Sequence, residues 1–367
     1  MSAIQAIPLN DCQQTSGLPS IAPDQPIPDP LSALKNRTPI YSKYIQDSSL
    51  IQDKLNKEFQ CAQRQQKPFH AATRLGAVYT PLLSYEPPRS LFYFQSPAID
   101  PAEGKTIHTE TLSVGPYKAE LAACQGKRKT MEDEHIAQLL TIPSLDKQIP
   151  LFGLFDGHGG KQAAQFLKEN LPHYLTHYLE KFGLDDTGIW NALKHTFIEL
   201  DHDFTLPRSG STAAVALIID NHIWIANLGD SRAILSAPKT AIQLSEDAKP
   251  DDPRYRKSIE KRGGRIFKHY VLGILPYGIC IARTFGDHHL ISSLGKNVMP
   301  HAPKITKHPI LPSSDLILVC DGITDVATTK QISEAIQNKN TPSQIIAKAY
   351  NAGSKDNLSL MKVSLNV

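Results

Sequence analysis

The chain has 367 residues, 41% of them hydrophobic, so it is long enough and apolar enough for a large core. Thirty-nine Lys and Arg stand against 36 Asp and Glu, a net charge of +3. That balance, with the basic residues mostly scattered, excludes the basic stripe of a nucleic-acid binder and gives no reason to expect an anionic membrane surface as partner. Five cysteines (Cys12, Cys61, Cys124, Cys280 and Cys320) form no Cys-x-x-Cys pair, so a thiolate zinc site is not expected. Residues 1–14 lack the basic start and apolar stretch of a secretory signal, and no run approaches the roughly 18 apolar residues of a membrane helix. Free thiols in the cytoplasm are the expectation.

Residues 1–110 read as a Pro-rich N-terminal extension, partly disordered or packed on the domain that follows. Thirteen of the 27 prolines fall in residues 1–105, and Pro23, Pro26, Pro28 and Pro30 exclude a helix or a central strand there. Residues 1–40 are therefore expected to be extended or disordered. One helix is expected where Ile51, Leu55, Phe59 and Ala62 recur at helical spacing after an Asp47-Ser48 cap signal, and residues 90–94 look strand-like. From residue 111 to 367 the pattern is globular. Strands are expected near residues 120–124, 150–155, 213–219, 222–228, 233–235, 316–320 and 358–365. Two helices are expected over 160–182 and 186–204. Strands, then a helical pair, then more strands do not make a steady βαβ alternation, so an antiparallel α+β layering is favoured.

Acidic residues recur at the ends of these strands. Asp156 follows a strand ending at Phe155, Asp230 one ending at Leu228-Gly229, and Asp321 one ending at Cys320. Asp356 precedes the last strand, and Glu132 and Asp133 follow the strand ending near Cys124. One such carboxylate is ordinarily a turn former or helix cap. Several converging from one sheet system repel one another and lose hydration, and hard divalent cations such as Mg²⁺ or Mn²⁺ relieve that cost. Arg128 could hold phosphate oxygens in its planar fork, and His158, two residues after Asp156, could protonate a departing alkoxide. The plainer readings are a surface ion pair for Arg128 and a helix-start residue for His158. No cysteine shows the His-Cys-x₅-Arg pattern of a thiolate phosphatase.

The segments Gly126–Asp133, Phe155–Gly160 (Phe-Asp-Gly-His-Gly-Gly), Ser209–Ala213, Asn227–Arg232, Ala282–Asp287, Asp321–Val326 and Ser354–Leu358 occur in the order seen in type-2C metal-dependent protein serine/threonine phosphatases, the PPM family. The chain resembles that family over roughly residues 111–367. The resemblance implies a four-layer α-β-β-α sandwich, with two antiparallel sheets enclosing a dinuclear metal site at one edge. It implies that Asp156 bridges two Mn²⁺ or Mg²⁺ ions, with the Gly157 carbonyl as a further ligand. Asp321 and Asp356 would bind the first ion, and Glu132 the second through water. Asp230 and Asp325 would hold a weaker third ion. Arg128 would bind the phosphoryl group and His158 act as general acid, while a metal-bridging hydroxide attacks phosphorus in line.

Phosphorylated proteins are the expected partners, and a monomer is expected. The rival is a catalytically inactive scaffold on the same fold, which loss of the metal carboxylates would mark; this chain keeps them. Thr324 stands where the family usually has Trp, which predicts changed packing with metal binding retained. The segment 246–275 corresponds to the family's variable flap, and its cations could attract acidic targets or be a solvated helix face.

Overall fold

Apolar runs with no polar alternation, such as Leu151–Phe155 and Leu316–Cys320, belong to strands covered on both faces. The structure, a computed structural model, describes residues 106–206, 208–272, 278–290 and 298–366. The helix expected around Ile51–Ala62, the strand around 90–94 and the extended residues 1–40 lie outside the described residues.

The strands are β1 (Ile107–Val114), β2 (Tyr117–Cys124), β3 (Glu134–Ile142), β4 (Lys147–Phe155), β5 (Gly157–His158), β6 (Gly210–Ser211), β7 (Ala213–Ile219), β8 (His222–Leu228), β9 (Arg232–Ala237), β10 (Thr240–Gln243), β11 (Arg265–Phe267), β12 (Tyr270–Leu272), β13 (Gly278–Ile279), β14 (Phe285–Gly286), β15 (Lys304–Pro309), β16 (Asp315–Val319) and β17 (Leu358–Ser364). The helices are α1 (Gln162–Phe182), α2 (Asp186–Asp203), α3 (Pro253–Lys261), α4 (Asp321–Thr324), α5 (Thr329–Gln337) and α6 (Pro342–Asn351). One sheet runs β1-β2-β17-β16-β9-β10 and the other β15-β8-β7-β4-β3, and both are antiparallel throughout. Two three-stranded sheets, β14-β6-β5 and β11-β12-β13, complete the set.

Side-chain alternation along the central strands sets the layers. Phe152 and Leu154 of β4 meet Leu316, Leu318 and Met361 between the sheets. Leu151 and Phe155 of β4 turn the other way, onto Leu167, Leu171 and Phe197 of α1 and α2. Ile317 and Val319 of β16 pack on Ile332, Ile336, Ile345 and Ile346 of α5 and α6. The result is helix, sheet, sheet, helix. Truncating the fully buried Phe152 to Ala would cost about 3–5 kcal/mol.

Local chemistry sets the ends of the helices. Asp185 caps α2 by accepting the Gly188 N–H at 2.8 Å. Thr328 and Gln331, and Thr341 and Gln344, close capping boxes on α5 and α6. Helix α3 and the sheet β11-β12-β13 form the flap around a separate small core of Tyr255, Ile259, Val271 and Ala282.

Candidate active site

Strands β4 and β8 both pair antiparallel with β7, so they run the same way and release Asp156 and Asp230 at the same edge. Strands β16 and β17 are antiparallel neighbours, so Asp321 after one and Asp356 before the other also share an edge. These edges meet. Burial raises the Asp156 carboxyl well above the carboxylate range, and Asp133, Asp321, Asp230 and Asp356 push the same way. Burial also raises Asp321, joined by Asp230, Asp325 and Asp356. Helix α4 is a single turn that sets Asp325 four residues beyond Asp321, with the Asp325 N–H donating to the Asp321 carbonyl at 2.8 Å. Thr324, in the place of the family's Trp, lies within that turn, so the Asp321–Asp325 spacing is intact. Asp133 is buried beneath the site and pushed up to about 6, chiefly by burial, although the Ser359 hydroxyl donates to it at 2.6 Å.

Hydroxyls and an amide fix the loops that carry these groups. The Asp156 N–H donates to Thr212 Oγ1 at 3.2 Å, and Thr212 N–H returns to the Asp156 carbonyl at 2.9 Å. Thr212 and Ser231 share a hydroxyl hydrogen bond of 2.6 Å, which ties the Asp156 loop to the Asp230 loop. Asn357 Nδ2 donates to the Gln125 and Thr130 carbonyls, both at 2.8 Å, while its Oδ1 accepts the Glu132 N–H at 2.9 Å. The Arg128–Glu132 loop is thereby pinned to the Asp356 loop. Gly322 is required for this approach, because a Cβ there would lie 1.9 Å from the Asn357 carbonyl oxygen.

Two side-chain cations enter the acidic cluster. Arg128 Nη2 lies 2.5 Å from Asp356 Oδ2, with the arginine side chain still more than half exposed. Lys249 donates to the buried Asp230 carboxylate; burial opposes its charge, but Asp230 first, and then Asp321 and Asp325, raise its pKa. Glu132 Oε2 accepts the Gly160 N–H at 3.1 Å, and its Oε1 accepts from Thr130 at 2.7 Å. Gly157 pairs with Ser211 in the small sheet, and a Cβ on it would meet the Glu132 carbonyl at 2.4 Å.

His158 is half-buried, with Nε2 2.6 Å from Asp287 Oδ2. Burial opposes its imidazolium, but Asp287 more than compensates and, with Asp230 and Glu132, raises its pKa. Behind Asp287, Asp201 accepts the Gly286 N–H at 2.7 Å and contacts His288 and His301, each at 3.2 Å.

Asp156, Asp230, Asp321, Asp325, Asp356 and Arg128 therefore stand in one electrostatic neighbourhood, with Glu132, Gly157 and His158 beside it. Sequence reasoning left Lys249, Asn357, Asp201 and Asp287 without roles. Asp287 ends a quoted segment, but no local pattern pairs it with His158. Among the described residues no three His, Cys, Asp or Glu groups stand ready to grip one metal ion. The donor chemistry nevertheless fits hard cations. The donors are carboxylates, Asp321 Oδ1 is buried with no hydrogen-bond partner, and Asp156 is surrounded by like charge.

The Protein phosphatase 2C family model matches residues 117–358. "Probable protein phosphatase 2C member 13, mitochondrial" of Oryza sativa subsp. japonica is 34% identical over 266 residues, spanning 69% of this chain and 69% of that protein. "Probable protein phosphatase 2C 45" of the same organism is 33% identical over 277 residues, spanning 72% and 94%. Among solved structures, serine-threonine phosphatase 2C from Toxoplasma gondii superposes with a TM-score of 0.57 at 21% identity, over 71% of this chain and 98% of that one. That likeness carries the sandwich fold, and the sequence matches carry the family. The chain belongs to the protein phosphatase 2C family and is a serine/threonine protein phosphatase of the PPM type.

Proposed function

We propose that this chain hydrolyses phosphoserine and phosphothreonine in other proteins with two Mn²⁺ or Mg²⁺ ions, and a weaker third, held by the carboxylates at the sandwich edge. The observation that carries this reading is the convergence of Asp156, Asp321 and Asp356 from two different sheets onto one half-buried, mutually repelling cluster. Asp156 and the Gly157 carbonyl, with Asp321, Asp356 and Glu132, would hold the two ions, and Asp230 and Asp325 the third. Cations bound there would supply positive charge for the phosphoryl oxygens and lower the pKa of bound water.

The chain's own residues do the rest. Arg128 has five N–H donors, and its bond to Asp356 fixes the guanidinium while leaving donors for a phosphoryl oxygen. His158, with Nε2 2.6 Å from Asp287 Oδ2, is placed to give a proton to the departing Ser or Thr oxygen. Asp287 and the Gly157-Ser211 ladder hold that imidazole beside the carboxylates. The same proposal includes a catalytic domain beginning near residue 110 and a monomer. Free Cys124, Cys280 and Cys320 support a reducing compartment such as the cytoplasm. No described helix is long and apolar enough to cross a membrane.

The test is phosphate release from a phosphothreonine peptide, with and without Mn²⁺ or Mg²⁺, by the wild type and by Asp321→Asn. Metal-dependent release that disappears in the variant is expected. Silence in folded, metal-saturated protein would favour the inactive scaffold.

A further inference from the structure

The sheet β5-β6-β14 has strands of two residues each, too short to add much stability alone. Its pairing has a local consequence. Central strand β6 pairs with β5, which carries His158, and with β14, which ends one residue before Asp287. The three strands bring His158 Nε2 to 2.6 Å from Asp287 Oδ2, although the residues lie 129 positions apart.

Asp287 is fixed from several directions. Its side chain is 1% exposed. Thr284 Oγ1 donates to the same Oδ2 at 2.8 Å, and the Asp287 N–H donates to the Ser209 carbonyl at 3.1 Å. Asp201 holds the preceding Gly286 N–H. Gly210 in β6 leaves the space through which the imidazole–carboxylate bond passes. A Cβ there would lie 2.2 Å from Asp287 Oδ2 and 2.4 Å from His158 Nε2.

We propose that Asp287 is the positioning residue for His158, holding the ring by Nε2 so that Nδ1 faces the leaving oxygen of the substrate. This rests on the reading of His158 as general acid. A carboxylate only accepts, so the Nε2 proton stays on the bond to Asp287. In the imidazolium the Nδ1–H bond breaks, its proton forms the O–H of the released Ser or Thr, and the electron pair stays on Nδ1. The ring is left neutral in the tautomer that Asp287 holds, and solvent returns the proton afterwards. The arrangement matters most when the leaving oxygen is a poor leaving group, as in a serine or threonine ester, and least when it is a phenolate that departs without a proton.

The test compares kcat on a phosphothreonine peptide with kcat on p-nitrophenyl phosphate, at saturating Mn²⁺, for wild type, His158→Asn, Asp287→Asn and the double variant. His158→Asn is expected to lower the peptide-to-nitrophenyl ratio about 100-fold, and Asp287→Asn about 30-fold. The double variant should be no worse than His158→Asn, because the two residues act as one unit. Should Asp287→Asn prove unfolded by circular dichroism, Gly210→Ala carries the same expectation, since it keeps both side chains and removes only the room between them.

A selective loss in His158→Asn with an unchanged ratio in Asp287→Asn and Gly210→Ala would overturn the role of Asp287. So would additive losses in the double variant. An unchanged ratio in His158→Asn would overturn the general-acid reading itself, and the role of Asp287 with it.

Discussion

Asp156 and Asp321, at the ends of β4 and β16, share their surroundings with other carboxylates. Asp201 and Asp287, around the small sheet, share theirs with imidazoles, a hydroxyl and a backbone N–H. Burial raises the proton affinity in both places, yet the first pair ends well above the carboxylate range and the second below it. The neighbours decide the sign. A cluster of like charge is the kind of site whose repulsion cations relieve, whereas carboxylates already given donors suit structural and orienting roles. Against the effect of burial, Asp287 first and then Asp230 and Glu132 raise the pKa of His158.

Neutralising one member of each group should separate them most sharply. Asp321→Asn removes a repelling charge and a proposed metal ligand together. Phosphate release should fall at least about 10³-fold, the equivalent of roughly 4 kcal/mol of transition-state stabilisation. In EDTA the same variant should melt no lower than wild type by differential scanning fluorimetry. A variant that keeps its activity but melts early in EDTA would break the distinction.

Asp201→Asn should do the reverse. A carboxyl held from 3.8 down to about 2 carries about 2–3 kcal/mol, and urea titration should find a loss of that order. That difference has a pH window. Asp201 is depressed, so its contribution is present above about 3.8 and lost as pH falls towards about 2. His288 is raised by its bond to Asp201, so its contribution is present below 6.5 and fades as pH rises through its folded value. Wild type should therefore exceed Asp201→Asn most between about pH 4 and pH 6.5. A gap that stays flat from pH 4 to pH 9 would remove His288 from the account.

The smallest effect belongs to the flap. Arg254 is paired with Glu246 at 2.8 Å and Asp252 at 2.5 Å, and Arg256 is loosely paired with Glu260 at 3.9 Å. Lys257, Lys261 and Arg262 are exposed. Changing Lys257 and Lys261 to Glu should lower kcat/KM about 3-fold on phosphopeptides flanked by acidic residues, and the effect should vanish in 0.5 M salt. Equal kinetics on acidic and neutral peptides would make α3 a solvated face only.

What the sequence disclosed follows from burial. Strands covered on both faces, such as β7 (Ala213–Ile219) and β16 (Asp315–Val319), leave continuous apolar runs, and they place Asp156, Asp230 and Asp321 at strand ends. Edge strands do not. Strand β1 buries only Val114, and β15, Lys-Ile-Thr-Lys-His-Pro, buries no residue fully. Helices α5 and α6 are also beyond the sequence expectations, although Thr328-x-x-Gln331 and Thr341-x-x-Gln344 announce both. Ordered segments resembling a known family singled out the acidic cluster, Arg128 and His158 as candidates, and the structure brings them into one neighbourhood. Nothing local could join His158 to Asp287 or Lys249 to Asp230, because those contacts depend on how β6 and the flap stem return to the site.

On the proposed reading the repelling carboxylates form a cation site. Titration calorimetry of the metal-free protein with Mn²⁺, for wild type and Asp321→Asn, tests it most directly. At least two ions bound per wild-type chain, and at least one fewer in the variant, are expected. A wild-type chain that binds no Mn²⁺, or a variant that binds as many ions as tightly as wild type, would contradict it.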